Sequence, residues 1–335
     1  MQLPKEEKHN LKIKVDPDFE FKYNFENHED KGTRLLVEAA QKKEADKGHQ
    51  WNAQYKFPKT NELVKFSNYV YQSYAGKIDI KLDTHWKLLY RVRGQKVLFK
   101  SFKGFYGELY FNTKNYYLQL VIKGTTPSNM GDVWSDIENI LRKKEGGILD
   151  SAFTFGETVR KLINNFTCKP MLLITGHSLG GFLAQLITYT ITYCYVDIDG
   201  EVRSREEPTD DFGIYTIVFD SPAIYDHIRS IDARDPIKSE RFILPIINFV
   251  ADVNLINTNS WIGKHLGIVL VIKDFNCTGE ASKRERAANL PLHLLKTFEN
   301  IVLNECHKVE NLPGRRTVKY KKKLHPILLL FDKRF

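Results

Sequence analysis

Met171-Leu172-Leu173-Ile174-Thr175-Gly176-His177-Ser178-Leu179-Gly180-Gly181-Phe182-Leu183-Ala184 decides how this chain is read. The apolar run at 171–174 has the length and composition of a buried strand. The second apolar segment, at 182–187, continues as a helix. Between them lies G-x-S-x-G, which in a strand–turn–helix context is the pattern of a nucleophile elbow. The elbow forces a serine onto a sharp turn at the edge of a sheet. Gly176 and Gly180 let strand and helix approach with no Cβ between them. The following helix then aims its free N-terminal N–H groups at the same spot. Ser178 is therefore the candidate nucleophile, set against the plainer reading of a glycine-rich turn that only packs closely.

Working outward, the chain has 335 residues, 42% of them hydrophobic and 27% charged. That balance suits a globular protein with one large domain or two small ones. No apolar run reaches the roughly 18–20 residues of a membrane span. The opening MQLPKEEKHNLKIK lacks the apolar core of a signal peptide. These features give the expectation of an intracellular protein, cytoplasmic or peripheral to a membrane. Cys168, Cys194, Cys277 and Cys306 have no metal-ligand spacing and read as free thiols of a reducing compartment. Asn165-Phe166-Thr167 and Asn276-Cys277-Thr278 are glycosylation sequons that matter only for a secreted chain. Neither a metal nor a cofactor is expected.

The net charge of +9 is concentrated at the C-terminus. Arg315, Arg316, Lys319, Lys321, Lys322, Lys323, Lys333 and Arg334 face only Asp332 within 311–335. Such a tail is either simply solvated or drawn to an anionic membrane surface, at about 1 kcal/mol per basic residue near the surface. No nucleic-acid reader motif accompanies it, so nucleic acid is not an expected partner. Residues 1–58 are polar and charged. The division expected is an extension at 1–58, a catalytic domain at 59–310 and a basic tail at 311–335.

Within the domain, Leu63, Val64, Phe66, Val70 and Tyr71 fall at helical spacing. Strand patterns are expected at 86–92, 96–102, 107–111 and 116–122. A turn-rich stretch follows at 124–132, then helical stretches at 134–143 and 151–164. Beyond the elbow helix come a polar loop at 197–211 and strands at 214–219, 243–250 and 266–272. A last helix is expected at 292–304. Strands alternating with helices define an α/β fold with a mainly parallel central sheet flanked by helices.

A serine hydroxyl needs a base within hydrogen-bond reach, and the base needs an orienting acid. In the α/β-hydrolase order both follow the serine. Asp220 and Asp252 each follow an apolar strand at the end where Ser178 sits. Asp252 comes after the second strand beyond the elbow and is the favoured acid; Asp220 is the alternative. His265 immediately precedes a strand, which puts it at the wrong edge. His293 follows that strand and its loop at the start of a helix, so it is the favoured base. His307 and His325 lie in polar, basic sequence. His177, inside the elbow, reads as structural. An oxyanion hole would take the Leu179 N–H and a second donor from the loop after an earlier strand. Gly124-Thr125-Thr126 follows the strand ending at Ile122, which makes Thr125 that donor.

These residues resemble the class 3, fungal-type lipase family. VIKGT at 121–125 is similar to its oxyanion strand-loop, GHSLGG to its elbow, FVADVN at 249–254 to its acid segment, and LPLHLLKTF at 290–298 to its His-bearing segment. KHLG at 264–267 matches a further, non-catalytic position. The resemblance spans about residues 60–305. It implies an α/β-hydrolase fold and a triacylglycerol lipase or phospholipase A-like enzyme. It further implies the triad Ser178, Asp252 and His293 and an oxyanion donor at Thr125. A lid near 127–140 is also implied, with Trp134 as its candidate apolar contact. The chain departs from the family in Asp220-Ser221-Pro222, where a small residue is usual, and in its extension and tail. The competing expectation is a catalytically inactive lipase-like scaffold that binds a partner or a membrane.

Overall fold

The computed structural model describes residues 42, 58, 60–77, 82–93, 96–97, 100–101, 105–124, 148–196, 202–204, 213–225, 227–228, 245–251, 265–272, 298 and 306–308. Nearly all of the expected extension, the expected tail, the helix at 134–143 and nearly all of the helix at 292–304 lie outside these residues.

Three long helices are described: α1 (Thr60–Ala75), α2 (Ile148–Asn164) and α3 (Leu179–Tyr193). The strands are β1 (Trp86–Arg93), β2 (Lys96–Val97), β3 (Lys100–Ser101), β4 (Tyr106–Asn112), β5 (Tyr117–Ile122), β6 (Met171–His177), β7 (Cys194–Val196), β8 (Val202–Ser204), β9 (Ile214–Phe219), β10 (Ile246–Ala251), β11 (Ile268–Ile272) and β12 (Cys306–Lys308). Eight of them form one sheet in the order β1-β4-β5-β6-β9-β10-β11-β12. The run from β5 through β6, β9 and β10 to β11 is parallel. The β1–β4, β4–β5 and β11–β12 pairings are antiparallel. The sheet is parallel through its centre and antiparallel at its margins.

Side-chain alternation along these strands divides the core in two. On one face, Leu118, Leu120 and Ile122 of β5 and Leu172 and Ile174 of β6 meet α2 and α3 through Phe153, Phe155, Phe182, Leu183 and Ile187. On the other face, Leu63, Phe66 and Val70 of α1 cover Tyr117, Val121, Leu173, Ile217 and Phe219. Helices on both faces explain why β6 and α3 read as continuous apolar runs rather than alternating ones: every residue of each is buried.

Several expected elements differ in detail. The strand expected across 96–102 is instead the two-residue pair β2 and β3, forming a small sheet of their own. The polar loop expected at 197–211 contains β8, which returns against β7. β12 pairs with β11 although nothing in its three residues marks it as a strand. Short, polar pairings carry too little periodicity to be read. Tyr116, expected to open a strand, has φ of 52° and closes the turn before β5.

Candidate active site

Ser178 occupies the junction of β6 and α3, at the C-terminal edge of the parallel strands, with φ 56° and ψ −130°. This is a sparsely populated conformation for a residue with a Cβ, of the kind that costs about 1–3 kcal/mol. The surroundings over-determine it. The Ser178 N–H donates to the Phe219 carbonyl at 3.0 Å, and the Ser178 carbonyl accepts from Gly181 at 2.9 Å and Phe182 at 3.2 Å. The glycines have a steric reason to be glycine. A Cβ on Gly176 would run into the carbonyl of Gly180. One on Gly180 would meet the Ile122 carbonyl, with Gly124 N at 2.6 Å and Lys123 C at 2.8 Å. These obstacles are backbone atoms, which cannot rotate aside. The elbow glycines therefore press the start of α3 onto the end of β5, where the second oxyanion donor is expected.

Ser178 is 2% exposed, and its Oγ has no hydrogen-bond partner among the described residues. A buried hydroxyl without a partner at a strained position needs an explanation, and a chemical role is one. The Leu179 N–H opens α3, where the first amides of a helix have no intrahelical acceptor.

Asp220 follows β9, the strand beside β6, and lies at the same edge as Ser178. It is fully buried, has φ of 45°, and donates its N–H to the Phe249 carbonyl at 2.7 Å. Where the resembled family has a small residue, this chain holds an aspartate in left-handed backbone, which Asp tolerates better than most residues. The turn is pinned to α3: Gln185 Nε2 donates to Ser221 Oγ at 2.7 Å, and a Cβ on Gly181 would sit 2.8 Å from Ser221 Cβ.

Asp252, His293, Thr125 and Trp134 lie outside the described residues. Residues near three of them, Gly124, Ala251 and Phe298, are described. Gly124, which precedes Thr125, packs against the elbow. Ala251 ends β10, which pairs in parallel with β9. Phe298, downstream of His293, packs its ring 5.5 Å from that of Phe219. His265 precedes β11 at the N-terminal edge of the parallel strands, opposite Ser178. His177 turns toward α1, with Nδ1 3.3 Å from Tyr71 Oη, which fits a structural role.

Two titratable residues near the site have no signature in the sequence, because only the fold buries them. Lys123 directly follows β5 and is 7% exposed, and burial pushes its ammonium down to about 8. His227 packs its ring 5.6 Å from Phe182 of α3, and burial pushes it down to about 4. Among the described residues no cluster of His, Cys, Asp or Glu could hold a metal ion. Cys168 and Cys194 are buried and not in a disulfide. Among the described residues, no helix is long and apolar enough to cross a membrane.

A mainly parallel sheet with helices on both faces, and a strained serine between a central strand and the helix after it, is the α/β-hydrolase architecture. No protein-family model matches the sequence, and no curated protein matches it. Among solved structures, the chain is similar to several fungal lipases. The lipase of Rhizomucor miehei with its propeptide is 13% identical, with 71% of this chain and 78% of that one covered and a TM-score of 0.41. A triacylglycerol lipase from Penicillium expansum is 12% identical, over 64% and 79%, with a TM-score of 0.41. The Lip2 lipase of Yarrowia lipolytica is 14% identical, over 63% and 78%, with a TM-score of 0.39.

Proposed function

We propose that this chain is a serine ester hydrolase cleaving acyl esters of lipids, with Ser178 as nucleophile, His293 as base and Asp252 as the acid that orients it. One observation carries this reading. Ser178 is buried at φ 56° and ψ −130° on the strand–helix turn, with its Oγ unpartnered among the described residues. Strain of this kind persists only where surrounding structure enforces it, and here it presents a hydroxyl beside helix N-terminal amides.

In the first half-reaction His293 takes the hydroxyl proton as Ser178 Oγ attacks the ester carbonyl. The N–H groups of Leu179 and Thr125 stabilise the oxyanion of the tetrahedral intermediate. Its collapse breaks the bond to the alkoxy oxygen, which leaves as the alcohol with the proton from His293. In the second, His293 deprotonates a water that attacks the acyl-enzyme, and the proton returns to Ser178 Oγ as the carboxylic acid departs. Asp252 stays ionised throughout.

The position of Asp252 immediately after β10, and of Phe298 beside Phe219, supports these roles. The segments LPLHLLKTF and FVADVN support the choice of a lipid ester, an acylglycerol or a phospholipid, as substrate. The domain is taken as 59–310, with Trp134 in a covering segment. Ser178→Ala, assayed on a short-chain ester, should lose essentially all activity; unchanged turnover would overturn the mechanism. A fluorophosphonate probe separates this reading from an inactive scaffold, whose misaligned serine would not react.

A further inference from the structure

We infer that Lys123 is a positioning residue for the oxyanion hole: its ammonium holds the Gly124 carbonyl and so orients and polarises the peptide group whose N–H is that of Thr125. The inference rests on the reading of Ser178 as the nucleophile of an ester hydrolase.

Lys123 Nζ donates to the Gly124 carbonyl at 2.9 Å. It also sits over the Tyr74 ring at 4.2 Å and over the Tyr71 ring at 5.5 Å. Both rings come from α1, so the ammonium is walled by aromatic faces that attract a cation. The backbone of Lys123 is anchored separately, its N–H donating to the Tyr106 carbonyl at 2.9 Å. Among the described residues no carboxylate lies within ion-pair distance. A buried lysine with two ring faces and one carbonyl for company is costly to keep charged, because burial disfavours the ammonium. Packing alone would be served better by an apolar chain.

The partner it does have explains the arrangement. A peptide group is planar and trans, so fixing the direction of one carbonyl fixes the opposite direction of the N–H in the same unit. The unit held by Lys123 joins Gly124 to residue 125. Gly124 is also held from its other side. Tyr71 Oη closes on it there, and there is no room for a Cβ, which would meet Tyr71 Oη and the His177 carbonyl, each at 2.5 Å, and Gly180 N at 3.0 Å. A cation on the carbonyl oxygen draws electron density from the amide and strengthens its N–H as a donor to a developing oxyanion.

Other ionisable groups face this site. Tyr71 and Tyr74 approach from α1, and burial pushes the Tyr71 hydroxyl far above its usual range. Tyr106 lies on β4 against Tyr74, and burial pushes it up to about 12. Glu108 on β4 accepts from Ser73, Tyr106 and Arg91 through Oε1 and from Tyr110 through Oε2. His177 on β6 reaches the site through Tyr71. The Lys123→Arg variant separates their titration from that of Lys123, because an arginine stays charged throughout.

The test is the second-order rate of fluorophosphonate labelling, together with kcat and KM on a short-chain ester, for wild type, Lys123→Met and Lys123→Arg, with circular dichroism as a folding check. Lys123→Met should label and turn over roughly tenfold to a hundredfold more slowly, with KM within about threefold of wild type. The wild-type labelling rate should bend downward above about pH 8, and Lys123→Arg should remove the bend. A folded Lys123→Met that reacts at the wild-type rate, or that changes KM alone, would overturn the inference. If Lys123→Met does not fold, the same bend in Lys123→Arg, or no bend in wild type, would overturn it. Wild type that fails to label at Ser178 sinks the hydrolase reading, and this inference with it. Wild type that labels while Lys123→Met labels equally fast sinks only the role of Lys123.

Discussion

The backbone N–H of Ser178 donates to the carbonyl of Phe219 at 3.0 Å, tying the turn after β6 to the end of the neighbouring strand β9. The next residue along β9, Asp220, makes the equivalent bond one strand further, to Phe249. Two consecutive strand ends thus leave the sheet through left-handed residues, each held by its neighbour. The strain at Ser178 is sustained by this stitching as well as by the elbow glycines.

Replacing Ser178 by glycine should therefore separate strain from chemistry. The substitution relieves backbone strain of about 1–3 kcal/mol and loses about 0.5–1 kcal/mol through the more flexible unfolded chain. The expected net is a stabilisation of about 1 kcal/mol by urea denaturation, with no fluorophosphonate labelling. A destabilised Ser178→Gly would show that the turn stores no strain.

Two glycines give a paired test of close approach. A Cβ at Gly180 meets backbone at Ile122, Lys123 and Gly124, which cannot move aside. Gly180→Ala should destabilise by more than the roughly 1–3 kcal/mol of ordinary overpacking, and should lower activity with it. Gly156, in α2, meets only side chains, at 3.4 Å and beyond. Gly156→Ala should stabilise by about 0.5–1 kcal/mol, because alanine is the better helix former. Denaturant midpoints of the two variants check both signs.

His227 links stability to pH. Its folded value lies at about 4, below the ordinary 6.5, because burial disfavours the imidazolium. The unfolded chain therefore binds more protons between those values, and stability rises with pH across that window. The contribution is fully present above about pH 6.5 and is lost as pH falls toward 4, at most about 3 kcal/mol in all. His227→Phe, which keeps an aromatic ring beside Phe182, should flatten that part of the stability–pH curve. An unchanged slope would assign the acid sensitivity to other groups.

The two candidate acids give different signatures. Asp252→Asn should lower kcat by about 10⁴-fold while leaving the fold intact, as expected for the acid that fixes the base's tautomer. Asp220→Asn keeps a residue type that tolerates left-handed backbone, so its main effect should be on stability. Kinetics and denaturation measured on both variants decide between them. A large kcat loss confined to Asp220→Asn would move the acid to β9.

The elbow is legible in the sequence because its information is local. An apolar run, a serine, glycines at the crowded positions and a second apolar run all lie within one short segment. The α/β class follows from alternating strand and helix patterns, and the strands expected at 86–92, 107–111 and 214–219 lie close to their true bounds. The choice of aspartate and histidine to serve Ser178 rests on chain order, sheet edge and the resemblance of FVADVN and LPLHLLKTF.

What only the tertiary structure decided depends on burial and on contacts between distant parts of the chain. The sheet order, with antiparallel pairs at both margins, has no local signal, nor do β7, β8 and β12, which are too short to show a period. Tyr71 meets His177 across a long stretch of chain because α1 covers the sheet face below the elbow. Lys123 is only the third residue of VIKGT in the sequence, and His227 one histidine among ten. Both shift only because folding removes them from water and sets them against particular rings and a carbonyl. A short motif carries its own geometry, whereas the charge state of a buried side chain is set by everything packed around it.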